Sequence, residues 1–198
     1  MSALERLKRH LRPGQVYRRA ELAGFSNAVD RHLRQLVDAG ELRKLRAGVY
    51  YRPRRSSFGE VPADEHKVVA TFLKDDDFLI VSLNAYNALS LGTTQLYNER
   101  LVYNFKRDGR FELNGQKYYF LKSRRFPKQV TEAFLLVDLV NNVELLAEDC
   151  DALKDRVAER ARALGMDKVR RAARAYGKVA TKKYFESLFN DEAFADAG

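Results

Sequence analysis

Asn27, Arg31, Arg34 and Gln35 share the stretch NAVDRHLRQLVDAG. At about 100 degrees per residue they gather with Asp38 on one helix face, while Val29, Leu33, Leu36 and Val37 gather on the other. The exposed set has the residue types that read bases. Arg pairs through two hydrogen bonds with guanine, and Asn or Gln with adenine, when a helix lies in the major groove of duplex DNA. A solvated helix also has a polar outer face, so the residues on either side must decide between the two readings.

Those neighbours include further cations. Arg43, Lys44 and Arg46 stand in ELRKLRAGVYYRPRR, close to Ala47-Gly48. Cations around a tight turn suit phosphate or minor-groove contacts, and each phosphate neutralised adds salt-dependent affinity. Tyr17, Arg18 and Arg19 open an earlier helix, where side chains and backbone N–H groups suit a phosphate. A last stripe, Arg171, Arg174, Lys178 and Lys182, lies opposite Ala172, Ala173, Tyr176 and Val179. It reads as a solvated helix face or as a second basic face for nucleic acid or an acidic protein.

Catalytic chemistry finds less footing. Glu65-x-Lys67 resembles half of a nuclease-type acidic motif, but it sits at a helix start, where Asp64 and Glu65 offset the helix dipole. His10, His32 and His66 fall in three different elements, and Cys150 has no histidine near it in sequence. No Gly-rich phosphate loop or zinc spacing occurs. The expectation is a non-enzyme with no catalytic residue, metal or cofactor.

The elements that must position these side chains follow from periodicity. Leu4, Leu7 and Leu11 make one stripe of a short helix stopped by Pro13-Gly14. Arg18 to Ala23 reads as about two helical turns ended by a left-handed Gly24, with Ser26 or Asn27 capping the helix that follows. Gly40 ends that helix, and Ala47-Gly48 joins two short strands, in which Leu42 and Leu45 break alternation and predict a bulge. This order is that of a winged helix-turn-helix domain over 1–55. RPRRSSFGEVPADE reads as its linker, with the linker proper at 56–63.

The remainder, 64–198, is expected to be a larger mixed α/β domain, which makes the whole chain α+β. DEHKVVATFLK and LNAYNALSLGTT read as helices, the second stopped by Gly92. Asp108-Gly109 and Asn114-Gly115 are hairpin dipeptides and predict an antiparallel three-stranded meander over about 98–124. TEAFLLVDLVNNVELL, DALKDRVAERARALG and DKVRRAARAYGKVATKKYFESLF then read as helices over about 131–190.

Charge separates the same two regions. Of a net +9, residues 1–62 hold 14 Lys and Arg against 6 Asp and Glu, whereas 63–198 are nearly balanced. That asymmetry points to a polyanion met by the first third, most often nucleic acid. A single cysteine forms no internal disulfide, which agrees with a reducing compartment. No apolar leader core and no run of 18 uncharged apolar residues is seen, so the expected setting is cytoplasmic and without a membrane partner.

The run AELAGFSNAVDRHLRQLVDAGELRKLRAGVYYRP resembles the N-terminal domain of AbiEi-type antitoxins of type IV-like toxin-antitoxin systems. Their pattern falls here on Leu33, Leu36, Gly40, Leu42, Leu45, Gly48, Tyr50 and Pro53. LIVSLNAYNALSLGTTQL, with Asn84, Ala85, Asn87, Leu89, Leu91, Gly92, Thr94 and Gln95, is similar to their second domain, with Ser90 inserted. The likeness covers about 15–125.

The resemblance implies a transcriptional repressor that binds the operator of its own operon as double-stranded DNA. It also implies a C-terminal domain that counters a cognate nucleotidyltransferase-type toxin, directly or functionally, in phage defence. Self-association on DNA is compatible with it. The alternative is a winged-helix regulator whose C-terminal domain senses a ligand or oligomerises, with no toxin partner.

Overall fold

A computed structural model describes residues 2–89, 91, 96–146 and 150–195. It is α+β and divides into two compact units, Met1–Phe78 with Lys106–Phe120, and Leu79–Phe105 with Leu121–Gly198.

In the first unit, helix α1 (Ala3–His10) starts at a capping box: the Ser2 side chain accepts the Glu5 N–H while Glu5 accepts the Ser2 N–H. Strand β1 (Val16–Arg18) and helix α2 (Arg19–Leu22) follow, then a 3-10 turn (Ala23–Phe25), helix α3 (Val29–Asp38), and strands β2 (Arg43–Arg46) and β3 (Val49–Tyr51). The strands form a sheet in the order β1-β3-β2. Leu7, Leu11, Leu22, Leu33, Leu36 and Leu42 pack as one core, so the leucine stripe of α1 meets the apolar face of α3.

The β2–β3 hairpin turns at Ala47-Gly48, with Gly48 at φ +76°. Its register slips between Lys44 and Arg46, which is the bulge that Leu45 predicted. Other local expectations are corrected. Helix α2 is a single turn preceded by an unforeseen strand, because Val16 to Arg18 pair with Tyr51 to Val49. Gly24 lies within the 3-10 turn rather than at a left-handed helix end. Neither Ser26 nor Asn27 caps α3: its N-cap is Ala28, and the Ser26 hydroxyl accepts the Ala28 N–H and meets the buried His32 ring at 2.8 Å.

The stretch expected as a linker carries strands β4 (Arg54–Ser56) and β5 (Gly59–Val61), paired antiparallel. Helix α4 (Glu65–Leu73) starts with Asp64 accepting the Lys67 N–H. The unit is completed by β8 (Gly109–Leu113) and by β9 (Gln116–Lys122) as far as Phe120, joined at Asn114-Gly115 with both residues at positive φ. It therefore extends well beyond residue 55.

Strand β6 (Phe78–Ser82), unforeseen in the sequence, and β7 (Glu99–Asn104) precede that hairpin. The expected three-stranded meander is thereby corrected: β7 belongs to the second unit, whereas β8, beyond Asp108-Gly109, belongs to the first and pairs with β9.

In the second unit, α5 (Glu132–Asn141) is buried at every position from Phe134 to Leu139. It packs against α6 (Cys150–Leu164), α7 (Met166–Tyr176), α8 (Val179–Ala195) and a 3-10 turn (Leu83–Leu89). The long final helix expected from sequence is broken into α7 and α8 at Gly177-Lys178. Asn84 holds the Tyr97 backbone in both directions, its Nδ2 donating to the carbonyl and its Oδ1 accepting the N–H. Ser90, Gly92, Thr94 and Gln95, to which the resemblance appeals, lie outside the described residues.

Candidate functional site

Helix α3 buries Val29, His32, Leu33 and Leu36 and leaves Arg31, Arg34 and Gln35 exposed, with exposed Asn27 in the turn before it. The three on α3 thus share its solvent-facing side, and Asn27 is exposed just before its start. Beside that side runs a groove of about 330 Å³, lined by Asp30, Arg34 and Val37 from α3 and by Lys44 and Tyr50 from the β2–β3 hairpin. It brings Arg34 and Lys44, two of the expected contact residues, to opposite walls.

Arg19 joins this site through Asp30, which carries no signal of its own in the sequence. Its Nε and Nη2 each donate to one oxygen of Asp30 at 2.6 Å. This forked bond holds the Asp30 carboxyl below the usual range and raises Arg19. Both side chains are largely exposed, so the pair orients the guanidinium more than it stabilises the fold. Tyr50 is raised above the ordinary phenol value by burial and by Asp30.

Three expected phosphate contacts are placed elsewhere. Tyr17 is a core residue whose hydroxyl donates to the His10 carbonyl and accepts the Arg12 N–H. Arg18 turns into the first unit and donates through Nε and Nη2 to the Thr71 carbonyl; desolvation lowers its pKa, and it remains charged. The guanidinium carbon of Arg46 sits 4.8 Å from the ring centroids of both Phe72 and Phe111, and its Nη1 is buried without a hydrogen bond. Arg43 is half exposed and paired with Glu60 at 2.8 Å. Of the hairpin cations, Lys44 alone has the expected placement.

Arg52, at the exit of β3, is structural. Glu41 accepts from both Arg52 and Lys8, which ties α1 to the exit of β3 and holds the Glu41 carboxyl below its usual range.

The second basic stripe divides. Arg174 and Lys182 line a groove of about 320 Å³ between α7 and α8, together with Arg170, whose guanidinium lies over Phe189. Arg171 lines a different groove with Lys168 and Tyr176. Lys178 donates to the Asn141 carbonyl at 2.6 Å, fixing the α7–α8 junction against α5.

The second unit also holds a polar cluster that no sequence signal marked. Asp138 is fully buried and accepts hydrogen bonds from Tyr103, from Tyr86 at 2.7 Å and from the Asn142 side chain at 3.1 Å. Burial pushes its carboxyl up to about 6, against the opposite pull of those donors. The tyrosines are raised as well, first by burial and then by Asp138. Such a cluster suits internal bracing between α5, β7 and the Leu83–Leu89 turn.

No group of three or more His, Cys, Asp or Glu among the described residues could hold a metal ion. No helix among them is long and apolar enough to cross a membrane. No family model matches the chain, and no curated protein matches it.

Proposed function

We propose that residues 1–55 form a winged helix-turn-helix module and that the chain is a cytoplasmic DNA-binding antitoxin, not an enzyme. It represses its own operon and counteracts a nucleotidyltransferase-type toxin. The observation that carries the DNA half is the groove between α3 and the β2–β3 hairpin, which sets Arg34 on one wall and Lys44 on the other. A helix whose exposed side carries Arg31, Arg34 and Gln35, with exposed Asn27 in the turn before it and Lys44 of the β2–β3 hairpin beside it, fits the pairing of base readout with phosphate contact. Binding of the full chain to a duplex from its own upstream DNA, against a scrambled duplex across a salt series, tests this. Equal affinity for both duplexes removes the repressor role.

The antitoxin half rests on the AbiEi-type resemblance. Co-expression with a nucleotidyltransferase-like protein encoded beside it should restore growth. A neighbouring toxin that remains lethal removes this half.

One observation favours the second reading, a winged-helix regulator that senses a ligand. An apolar cavity of about 200 Å³ in the second unit is lined by Leu139, Val143, Leu153, Val157, Thr181 and Tyr184. A small apolar molecule that raises the melting temperature and releases the operator would support it.

A further inference from the structure

Phe58, at the tip of the β4–β5 hairpin, is 100% exposed. All of β4 is exposed too, so this hairpin adds little to any core. It is nevertheless well braced. The Ser56 hydroxyl accepts the Phe58 N–H at 3.2 Å and donates to the Gly59 carbonyl at 3.0 Å, which shapes the turn beneath the ring. At the root, the Tyr51 hydroxyl donates to the Val61 carbonyl at 2.7 Å, and Arg43 pairs with Glu60 at 2.8 Å. Both clamps come from the β2–β3 hairpin, so the two hairpins are held together.

The charge of β4–β5 follows from those clamps. Arg43 occupies Glu60, the acidic residue of the hairpin, while Arg54 and Arg55 make no ion pair among the described residues. The hairpin thus carries an uncovered aromatic ring at its tip and, on β4, two exposed arginines without an ion pair among the described residues, on a support braced by the β2–β3 hairpin.

We propose that the β4–β5 hairpin is a second nucleic-acid contact. Phe58 wedges against a base step of the duplex held by α3, and Arg54 and Arg55 meet the flanking phosphates. A Phe side chain inserted at a base step unstacks it partly and bends the duplex, while the cations offset phosphate repulsion along the bend. Charge selects DNA over an apolar protein surface, because an apolar partner would leave two guanidinium groups desolvated and unpaired. This inference rests on the DNA-binding reading of α3.

The experiment uses the full chain and duplexes of its upstream DNA carrying 2-aminopurine at successive positions. The native chain should raise 2-aminopurine fluorescence at one step near the α3 site. Phe58→Ala should abolish that rise and weaken binding roughly tenfold, and Phe58→Trp should restore both. Arg54→Ala with Arg55→Ala should weaken binding and lower the salt dependence by roughly two phosphates. Because all three positions are exposed, unchanged thermal melting accompanies each result.

If Phe58→Ala leaves fluorescence and affinity unchanged while Arg31→Ala with Arg34→Ala abolishes binding, the hairpin proposal falls and the α3 reading stands. If the native chain binds no duplex, both fall. If Phe58→Ala instead removes binding to vesicles containing one-third phosphatidylserine and spares DNA, the hairpin is a membrane contact and the proposal is overturned.

Discussion

The Arg46 guanidinium is bracketed by Phe72 and Phe111, with 4.8 Å from its central carbon to each ring centroid. An arginine at the end of a cationic strand has thereby become an anchor that pins β2 to α4 and β8. Beside it the Asn114 N–H donates to the Leu45 carbonyl at 3.1 Å. Arg46→Ala should therefore destabilise the first unit by about 1–3 kcal/mol through lost cation–π and stem packing. Denaturant unfolding measures it. Lys44→Ala should do the reverse, leaving stability within about 0.5 kcal/mol and reducing the salt slope of DNA binding by roughly one.

Arg31→Ala with Arg34→Ala tests the face of α3. Each bidentate contact to guanine discriminates by about 1–3 kcal/mol, so operator affinity should fall at least tenfold, and affinity for random duplex should fall much less. Titration of both duplexes at one salt concentration decides it. Parallel losses on the two would mean that these arginines meet phosphates only.

The Asp138 carboxyl gives the second unit a signed pH dependence. Its folded value, about 6, lies above the value near 4 of an unfolded aspartate. The folded state thus holds the proton more tightly, and this group's contribution is fully present below pH 4 and lost as pH rises through about 6. Asp138→Asn should flatten the stability profile between pH 4 and 7 and lower stability by about 1–3 kcal/mol, since an amide cannot accept from every donor around it. Urea midpoints at pH 4.5 and 7.5 for both proteins would show the gap narrowing; an equal gap in the variant would assign the dependence to another group.

Gly177 is required by contact, not by its backbone angles. A Cβ there would stand 2.6 Å from the Ala173 carbonyl oxygen and 3.1 Å from the Lys182 side chain, while φ is an ordinary −67°. Gly177→Ala should lower stability by about 1–3 kcal/mol by forcing α7 and α8 apart. Thermal melting would register it, and an unchanged melting temperature would show that the junction yields freely.

What was legible in the sequence was local. The two faces of α3 follow from residues three and four apart, and the α3 face assignment agrees with burial, with His32 added to the apolar side by its bond to Ser26. Asn114-Gly115 marked its turn because few residues other than Asn and Gly adopt positive φ in succession. The bulge at Leu45 was legible because alternation fails there.

The misread elements depended on partners distant in sequence. Strand β1 is three residues long and exists through its pairing with β3. The separation of β7 from β8 was hidden because a turn dipeptide predicts a reversal of the chain, not which unit each strand joins.

The cations show the same division. Sequence alone determined that the first third carries the excess positive charge and that α3 turns polar residues outward, since composition and periodicity are properties of the chain itself. Only the tertiary structure decided which cations remain at the surface. Arg18 bonds to Thr71, Arg46 is held between two phenylalanine rings, Arg52 is taken by Glu41, and Lys44 and Arg34 are left facing one groove. A guanidinium settles on whatever carbonyl, ring or carboxylate the fold brings within a few ångströms, and that distance is absent from the order of residues.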